Sequence, residues 1–205
     1  MNKEYWNSLL TEKSWNLLQE LKKSHKFVLI GGWAVYLWTK QQKSKDIDIA
    51  VDIKELQKLK SERLGKNDNL KKYEIKNGEI DIDIYVSYYS ELTIPVSEIL
   101  KESAKVEGFD VVRSEVLLIL KQGAEKNREH SMKGEKDRID IVSLLFFTQF
   151  NFKRYNEILK KYNLEGYIDR LSMIVRGFFD YDIFGLTPRE LKIKKKEIID
   201  KLRKI

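Results

Sequence analysis

The chain has 205 residues, with 39 Lys and Arg against 32 Asp and Glu, a net charge of +7 and no cysteine. The absence of cysteine excludes disulfide frameworks, zinc–thiolate sites, iron–sulfur clusters and thiol nucleophiles, and two histidines exclude a histidine-rich metal site. No apolar run approaches the roughly 18 residues of a membrane span, and the first residues lack the apolar stretch of a signal peptide. We therefore expect a cytoplasmic protein that does not contact a membrane.

The positive charge is concentrated at the C-terminal end. Residues 1–150 carry 25 basic and 24 acidic side chains, whereas residues 151–205 carry 14 basic and 8 acidic side chains. Two interpretations of this basic end stay open. It is either a solvated lysine-rich helix or a surface for a polyanion such as RNA.

The first quarter of the chain predicts a helix, a strand and a second helix in that order. Apolar residues at helical spacing predict a helix over 5–22. The short apolar run 27–30 precedes Gly31-Gly32, which predicts a buried strand ending in a glycine turn. A helix is expected over 33–39, directly after the glycines, and alternating residues predict a strand with two faces over 46–51.

The middle of the chain continues with mixed elements and then becomes helical. We expect a short charged helix over 53–62, and Asn77-Gly78 between two β-prone runs predicts a hairpin. A single further strand is expected over 106–112. Helical periodicity starts at Ser114, which is a candidate cap, and Thr187 to Glu190 forms a capping-box pattern before a final basic helix. The other helices are expected over 137–147, 153–162 and 165–178.

Two Asp-Ile-Asp segments contain the candidate metal-binding carboxylates of the chain. On a strand, residues i and i+2 point to the same face, so Asp46 and Asp48 project together, and so do Asp81 and Asp83. Carboxylates packed side by side repel each other and resist burial. A divalent cation removes that penalty, and two ions about 4 Å apart can clamp the attacking and leaving oxygens of a phosphoryl or nucleotidyl transfer.

The glycine turn provides the phosphate-binding part of such a site. Glycines let backbone N–H groups approach phosphates, and the start of the following helix adds a favourable dipole. Each segment alone has a plain interpretation: surface alternation, an ordinary turn, or a charged edge strand that deters aggregation. The combination of strand, Gly-Gly, helix and acidic strands favours a site that binds phosphate and metal.

These residues resemble a known superfamily. The run Phe27 to Ala34, followed by Ser44 to Ile49, is similar to the nucleotidyltransferases of the DNA polymerase β type, and most similar to the small prokaryotic AbiEii-like enzymes. That group includes toxins of toxin–antitoxin systems. The resemblance covers roughly residues 25–150. It implies an α+β fold with a mixed β-sheet core flanked by helices over 1–150, and a basic helical extension over 151–205.

The resemblance also implies roles for individual residues. Asp46, Asp48 and Asp83 would bind Mg²⁺, with two ions expected and Mn²⁺ as an alternative metal. The third catalytic carboxylate is open between Asp81 and Asp83, with Asp83 favoured as the general base. Binding of the nucleoside triphosphate falls to the glycines, a serine and two lysines: Gly31, Gly32, Ser44, Lys121 and Lys136. Lys121 has a plain alternative as the solvated end of an apolar helix.

The function implied is transfer of a nucleoside monophosphate from a nucleoside triphosphate to an acceptor hydroxyl. The acceptor would be an RNA or tRNA 3′ end, a protein or a small molecule, and a toxin would have an antitoxin partner. The alternative is a non-catalytic nucleotide-binding or antitoxin-like interaction module with the same fold.

Overall fold

The computed structural model describes residues 7–60 and 63–205. It confirms the predicted α+β class, with a seven-stranded mixed sheet in the order β3-β4-β5-β2-β1-β7-β6. The strands are β1 (Val28–Ile30), β2 (Ile47–Val51), β3 (Gly65–Asn67), β4 (Lys72–Asn77), β5 (Ile80–Val86), β6 (Ser103–Val106) and β7 (Phe109–Val112).

The centre of the sheet combines antiparallel and parallel neighbours. β1 pairs antiparallel with β2, and β2 pairs parallel with β5. Ile47 and Ile49 on β2 are fully buried in the hydrophobic core. Because side chains alternate along a strand, Asp48 between them points to the opposite face. The hydrophobic residues of β2 thereby fix the face on which its carboxylate stands.

Helices flank this sheet, and the part of the chain after β7 is helical throughout its regular elements. The helices are α1 (Ser8–Ser24), α2 (Gly31–Thr39), α3 (Ile53–Leu59), α4 (Val96–Ile99), α5 (Ser114–Asn127), α6 (Met132–Phe147), α7 (Phe152–Lys161), α8 (Tyr167–Gly177) and α9 (Pro188–Leu202), with a 3-10 turn at Tyr181–Phe184. None of the helices in the described residues is long and apolar enough to cross a membrane.

Several predicted boundaries are wrong, for local reasons. The single strand expected over 106–112 is a hairpin of β6 and β7, because Glu107 and Gly108 take positive φ values of 49° and 77°. Arg113, not Ser114, occupies the cap position of α5. Helix α6 starts before 137 because the Ser131 side chain accepts a hydrogen bond from the backbone N–H of Gly134.

Other predictions hold or fall partly outside the described residues. The Asn-Gly hairpin is confirmed, since Asn77 pairs with Ile80 across Gly78 at φ +63°. The capping box at Thr187 is confirmed as well. Short elements β3 and α4 were not predicted, because neither has enough residues to show periodicity. The predicted helix residues 5–6 and 61–62 lie outside the described residues.

The C-terminal helices share one hydrophobic cluster with the sheet and its helices. A buried polar link reinforces this packing: the Tyr155 hydroxyl donates to Gln122 Oε1 on α5 at 2.6 Å, and the Gln122 amide donates to the carbonyl of Tyr167 at 2.8 Å. The division into a unit over 1–150 and one over 151–205 stays a prediction.

Two lysines of the basic end are held by carbonyls at the ends of other helices. Lys194 Nζ donates to the carbonyl of Phe146 near the end of α6. Lys195 Nζ donates to the carbonyls of Arg176 and Phe178 at the end of α8, at 2.6 and 2.8 Å. The last carbonyls of a helix lack intrahelical partners and carry the negative end of its dipole. These two cations therefore stabilise the packing of α9.

Replacing Lys195 should lower the stability of the protein. Lys195→Met keeps the aliphatic stem but leaves two helix-end carbonyls without their charged donor. We expect the free energy of unfolding to fall by about 1–3 kcal/mol. The matched control is Lys196→Met, one residue along on the exposed face of α9, where the change should stay within about 0.5 kcal/mol. Equal effects of the two variants in urea unfolding would contradict the capping role.

Candidate active site

The glycine turn forms one wall of a cavity. β1 ends at Ile30 and α2 begins at Gly31, whose φ of +65° favours glycine. A Cβ atom on Gly31 would lie 2.0 Å from Asp48 Oδ2, and one on Gly32 would lie 2.5 Å from Ser44 Oγ. The missing side chains thus allow the start of α2 to approach the carboxylate and the serine closely.

Three of the predicted carboxylates line this cavity, which has a volume of about 360 Å³. The parallel register of β2 and β5 places Asp48 beside Asp83, and Asp46 lies just before β2. Asp81 is not among the described residues that line the cavity. Its backbone N–H lies 3.4 Å from Asp46 Oδ1 and donates to it. The register therefore brings Asp83, and not the side chain of Asp81, to the cavity.

Burial makes this carboxylate cluster costly. Burial and the negative charge of Asp48 together raise the pKa of Asp83 to about 6, although Lys72 opposes the shift. Burial likewise raises the pKa of Asp48, with Lys121 opposing and Asp46 adding to the shift. The Tyr85 phenol also lines the cavity, and burial together with Asp48 raises its pKa well above the usual value. The site consequently favours any ligand that brings positive charge.

Cationic side chains from α5 and α6 line the same cavity. Lys121 Nζ lies 3.1 Å from Asp137 Oδ1 and 2.7 Å from Asp140 Oδ2, and Lys136 also pairs with Asp140. Arg128, after the end of α5, donates to Asp137 Oδ2 at 2.7 Å. Two buried aspartates thus hold three cations in fixed positions. We call Lys121, Arg128 and Lys136 the cation group.

The protonation of the cation group follows from these contacts. Burial works against the charge of Lys121, but Asp140 and Asp137 outweigh it and raise its pKa. The pKa of Lys136 is lowered instead, because burial dominates there and Lys121 adds repulsion. Lys121 is not the solvated end of a helix, the alternative that the sequence left open, because it is buried. Asp137 and Asp140 are likewise buried in ion pairs.

Among the residues of the cavity that were not predicted from the sequence, Lys72 and Arg128 contact its aspartates directly. Lys72 is on β4 and its Nζ lies 2.5 Å from Asp83 Oδ2. Arg128 stands in a highly charged loop between α5 and α6, where nothing in the sequence sets it apart from its neighbours. The position of Lys72 could have been predicted from the hairpin, because the turn at Asn77-Gly78 sets a register that puts Lys72 and Asp83 on the same face of the sheet.

The donor set fits a divalent cation only in part. In residues 7–60 and 63–205, no group of three or more histidine or acidic side chains could hold a metal ion. However, Asp83 Oδ1 is buried and accepts no hydrogen bond from the described residues. Mg²⁺ commonly uses one or two carboxylates and takes its other ligands from water and substrate phosphates. The adjacent Asp48 and Asp83 meet that smaller requirement.

The fold is that of nucleotidyltransferases. The chain matches a candidate nucleotidyltransferase from H. pylori with a TM-score of 0.53 and 18% identity, over 96% of both chains. JHP933 from Helicobacter pylori matches with a TM-score of 0.52 and 19% identity, over 98% of this chain and 96% of that one. ANT(2″)-Ia, solved with adenylyl-2″-tobramycin, matches with a TM-score of 0.50 and 12% identity, over 77% and 98%. No family model matches the chain, and no curated protein matches its sequence.

Replacing Asp48 should stabilise the metal-free protein in a pH-dependent way. The folded pKa of Asp48 lies above its unfolded value of about 3.8, so the folded state binds more protons between the two values. Stability is therefore lost as the pH rises through this window. We expect Asp48→Asn to melt at a higher temperature than the parent protein at pH 8, and this difference to shrink towards pH 4.

Thermal unfolding across this pH range, in a chelating buffer, measures the effect. The control is Asp110→Asn, because Asp110 is on β7 in an exposed ion pair with Lys105 and does not line the cavity. A gain for Asp48→Asn that is equal at pH 4 and pH 8 would show that burial of its charge is not the cause.

Proposed function

We propose that this chain is a metal-dependent nucleotidyltransferase that moves a nucleoside monophosphate from a nucleoside triphosphate to an acceptor hydroxyl. One observation carries the proposal. A single cavity combines a close-approach glycine turn, the side-by-side carboxylates Asp48 and Asp83, and the cation group. Like charges that are partly buried beside a glycine turn are costly to the fold, which supports a catalytic site over a non-catalytic module.

The carboxylates have distinct tasks in this proposal. Asp46 and Asp48 hold the divalent cations, with Asp83 as the third ligand. When bound, Mg²⁺ supplies charge neutralisation for the triphosphate and the leaving group. Asp83 takes the proton from the acceptor hydroxyl, because it is the carboxylate beside Asp48 in the cavity. The favoured choice of Asp83 over Asp81 is supported by its place in the cavity.

The reaction balances without a further reactant. The acceptor oxygen forms a bond to the α-phosphorus, and the bond from that phosphorus to the oxygen bridging the α- and β-phosphates breaks. Pyrophosphate leaves with the bond electrons. Its negative charge faces the cation group, whose positions are fixed by Asp137 and Asp140. Fixed cations stabilise a developing charge without a cost of reorganisation during the step.

The nucleotide is placed by the glycine turn. Gly31 and Gly32 present backbone at the start of α2, where N–H groups and the helix dipole favour phosphate. Ser44 stands beside Gly32 and its hydroxyl donates to the carbonyl of Asp46 at 3.0 Å. We therefore assign Ser44 to the positioning of the Asp46 loop as well as to the nucleotide-binding wall.

The proposal also concerns the class of molecule that carries the acceptor hydroxyl. ANT(2″)-Ia is solved with a nucleotidylated small molecule, adenylyl-2″-tobramycin, which supports a hydroxyl as the acceptor group. The AbiEii-like resemblance favours an RNA or tRNA 3′ end or a protein side chain, and a toxin countered by an antitoxin. Incubation with each α-labelled nucleotide, Mg²⁺ and either total RNA or cell protein identifies the class by what becomes labelled.

Removal of either metal-binding carboxylate should abolish transfer. Asp46→Asn and Asp48→Asn remove charge that holds the divalent cations, an effect of several kcal/mol or roughly 10³-fold in rate. Asp83→Asn should cost more activity than Asp81→Asn, because only Asp83 lines the cavity. Incorporation of label into the acceptor measures all four variants, with Asp110→Asn as the control. Full activity of Asp48→Asn would exclude this reaction at this site.

Metal and nucleotide should stabilise the protein together more than separately. Each ligand that binds only the folded state raises stability by mass action, and the triphosphate completes the coordination of the metal. We expect the rise in melting temperature with Mg²⁺ plus a non-hydrolysable nucleoside triphosphate to exceed the sum of the two single rises. Additive rises would indicate independent, non-catalytic sites.

A further inference from the structure

The ion pair between Lys72 and Asp83 joins β4 to the candidate metal site. Only 12% of the Lys72 side chain and 15% of the Asp83 side chain are exposed. The ammonium contacts Asp83 Oδ2, while Oδ1 of the same carboxylate is buried without a hydrogen bond from the described residues. Half of the carboxylate is therefore engaged by a lysine inside the cavity that also holds Asp46 and Asp48.

A second carboxylate lies within reach of the same lysine. Glu74 is on β4 opposite Asp83 in the strand register, and its Oε2 lies 3.8 Å from Lys72 Nζ. Glu74 is not among the described residues that line the cavity. Lys72 thus stands between an acid inside the site and an acid outside it.

We propose that the Lys72 ammonium competes with a divalent cation for the Asp83 carboxylate, so that metal binding requires Lys72 to move from Asp83 to Glu74. This inference rests on the proposed function in that it takes Asp83 as a metal ligand. Lys72 is then a positioning residue: it holds Asp83 in place in the metal-free protein and sets the metal concentration at which the site fills.

The physical reason is the cost of unpaired charge. Without a metal ion, Asp48 and Asp83 stand side by side and partly buried, and the Lys72 ammonium relieves part of their repulsion. A divalent ion on Asp83 Oδ1 and an ammonium on Oδ2 of the same carboxylate repel each other at close range, so loading the ion drives Lys72 towards its second partner, Glu74. The apparent metal affinity is reduced by the fraction of time in which the pair is open.

Direct measurement of Mn²⁺ binding tests the proposal without any transfer assay. The probe is Mn²⁺ alone, with the free ion quantified by electron paramagnetic resonance. If Lys72 occupies Asp83 nine-tenths of the time, Lys72→Met should lower the apparent Kd by about tenfold. Glu74→Gln removes the alternative partner of Lys72, so it should raise the Kd. Exchange of the lysine between the two acids predicts opposite shifts in these two variants.

Two controls distinguish the direct Lys72–Asp83 ion pair from long-range repulsion between a lysine and the metal ion. Lys76→Met removes a lysine from the same face of β4, but Lys76 is exposed and pairs in register with Asp81. It should leave the Kd within about twofold, because an exposed charge is screened by salt. In an Asp83→Asn background, Lys72→Met should no longer change the Kd, whereas a field effect would persist.

The Mn²⁺ binding measurements test the competition independently of the nucleotide-transfer assay. An unchanged Kd for Lys72→Met, an equal effect of Lys76→Met, or no Mn²⁺ binding by any variant overturns the competition. The loss of its effect in the Asp83→Asn background supports it. If the parent protein transfers no nucleotide yet shows the opposite shifts, the proposed function fails while the lysine–metal competition stands.

Discussion

Two desolvated carboxylates on neighbouring parallel strands are the constraint on which the rest of the cavity depends. The register of β2 and β5 puts Asp48 and Asp83 side by side, and the buried isoleucines that flank each of them along its strand fix their face. Water cannot relieve their repulsion fully, as their raised pKa values show. Cationic side chains of the cavity offset this arrangement, from β4 through Lys72 and from α5 and α6 through the cation group.

The cavity has two sides: the sheet contributes carboxylates, and the helices α5 and α6 contribute cationic side chains. Neither half is neutral in itself: the sheet side is negative, and the helix side holds three cations against two aspartates. A triphosphate with its divalent cations has the complementary layout, with metal facing acids and phosphate oxygens facing bases. The position of α5 and α6 relative to the sheet therefore sets the distance between the two halves of the cavity.

The sequence predicted the local pieces of this site and could not predict how they meet. Alternation placed Asp46 with Asp48 and Asp81 with Asp83, and the glycine pair indicated a tight turn before a helix. The choice between Asp81 and Asp83 depends on the register of two strands separated by more than thirty residues, which no local pattern contains. For the same reason Lys72 and Arg128 were missed: their importance arises only from contacts made across the fold.

The lysines also show why net charge is a weak guide to partners. The surplus of the C-terminal end comes from 14 basic and 8 acidic residues, and it favours a polyanion if all these cations face solvent. In the structure, Lys194 and Lys195 donate to carbonyls at the ends of α6 and α8. Their charge still contributes to a long-range potential, but part of their hydrogen-bonding capacity is already used by the helix ends. Lys192 and Lys196 are exposed, whereas Lys194 and Lys195 are half-buried, so the number of freely exposed cations on α9 is smaller than the charge count implies.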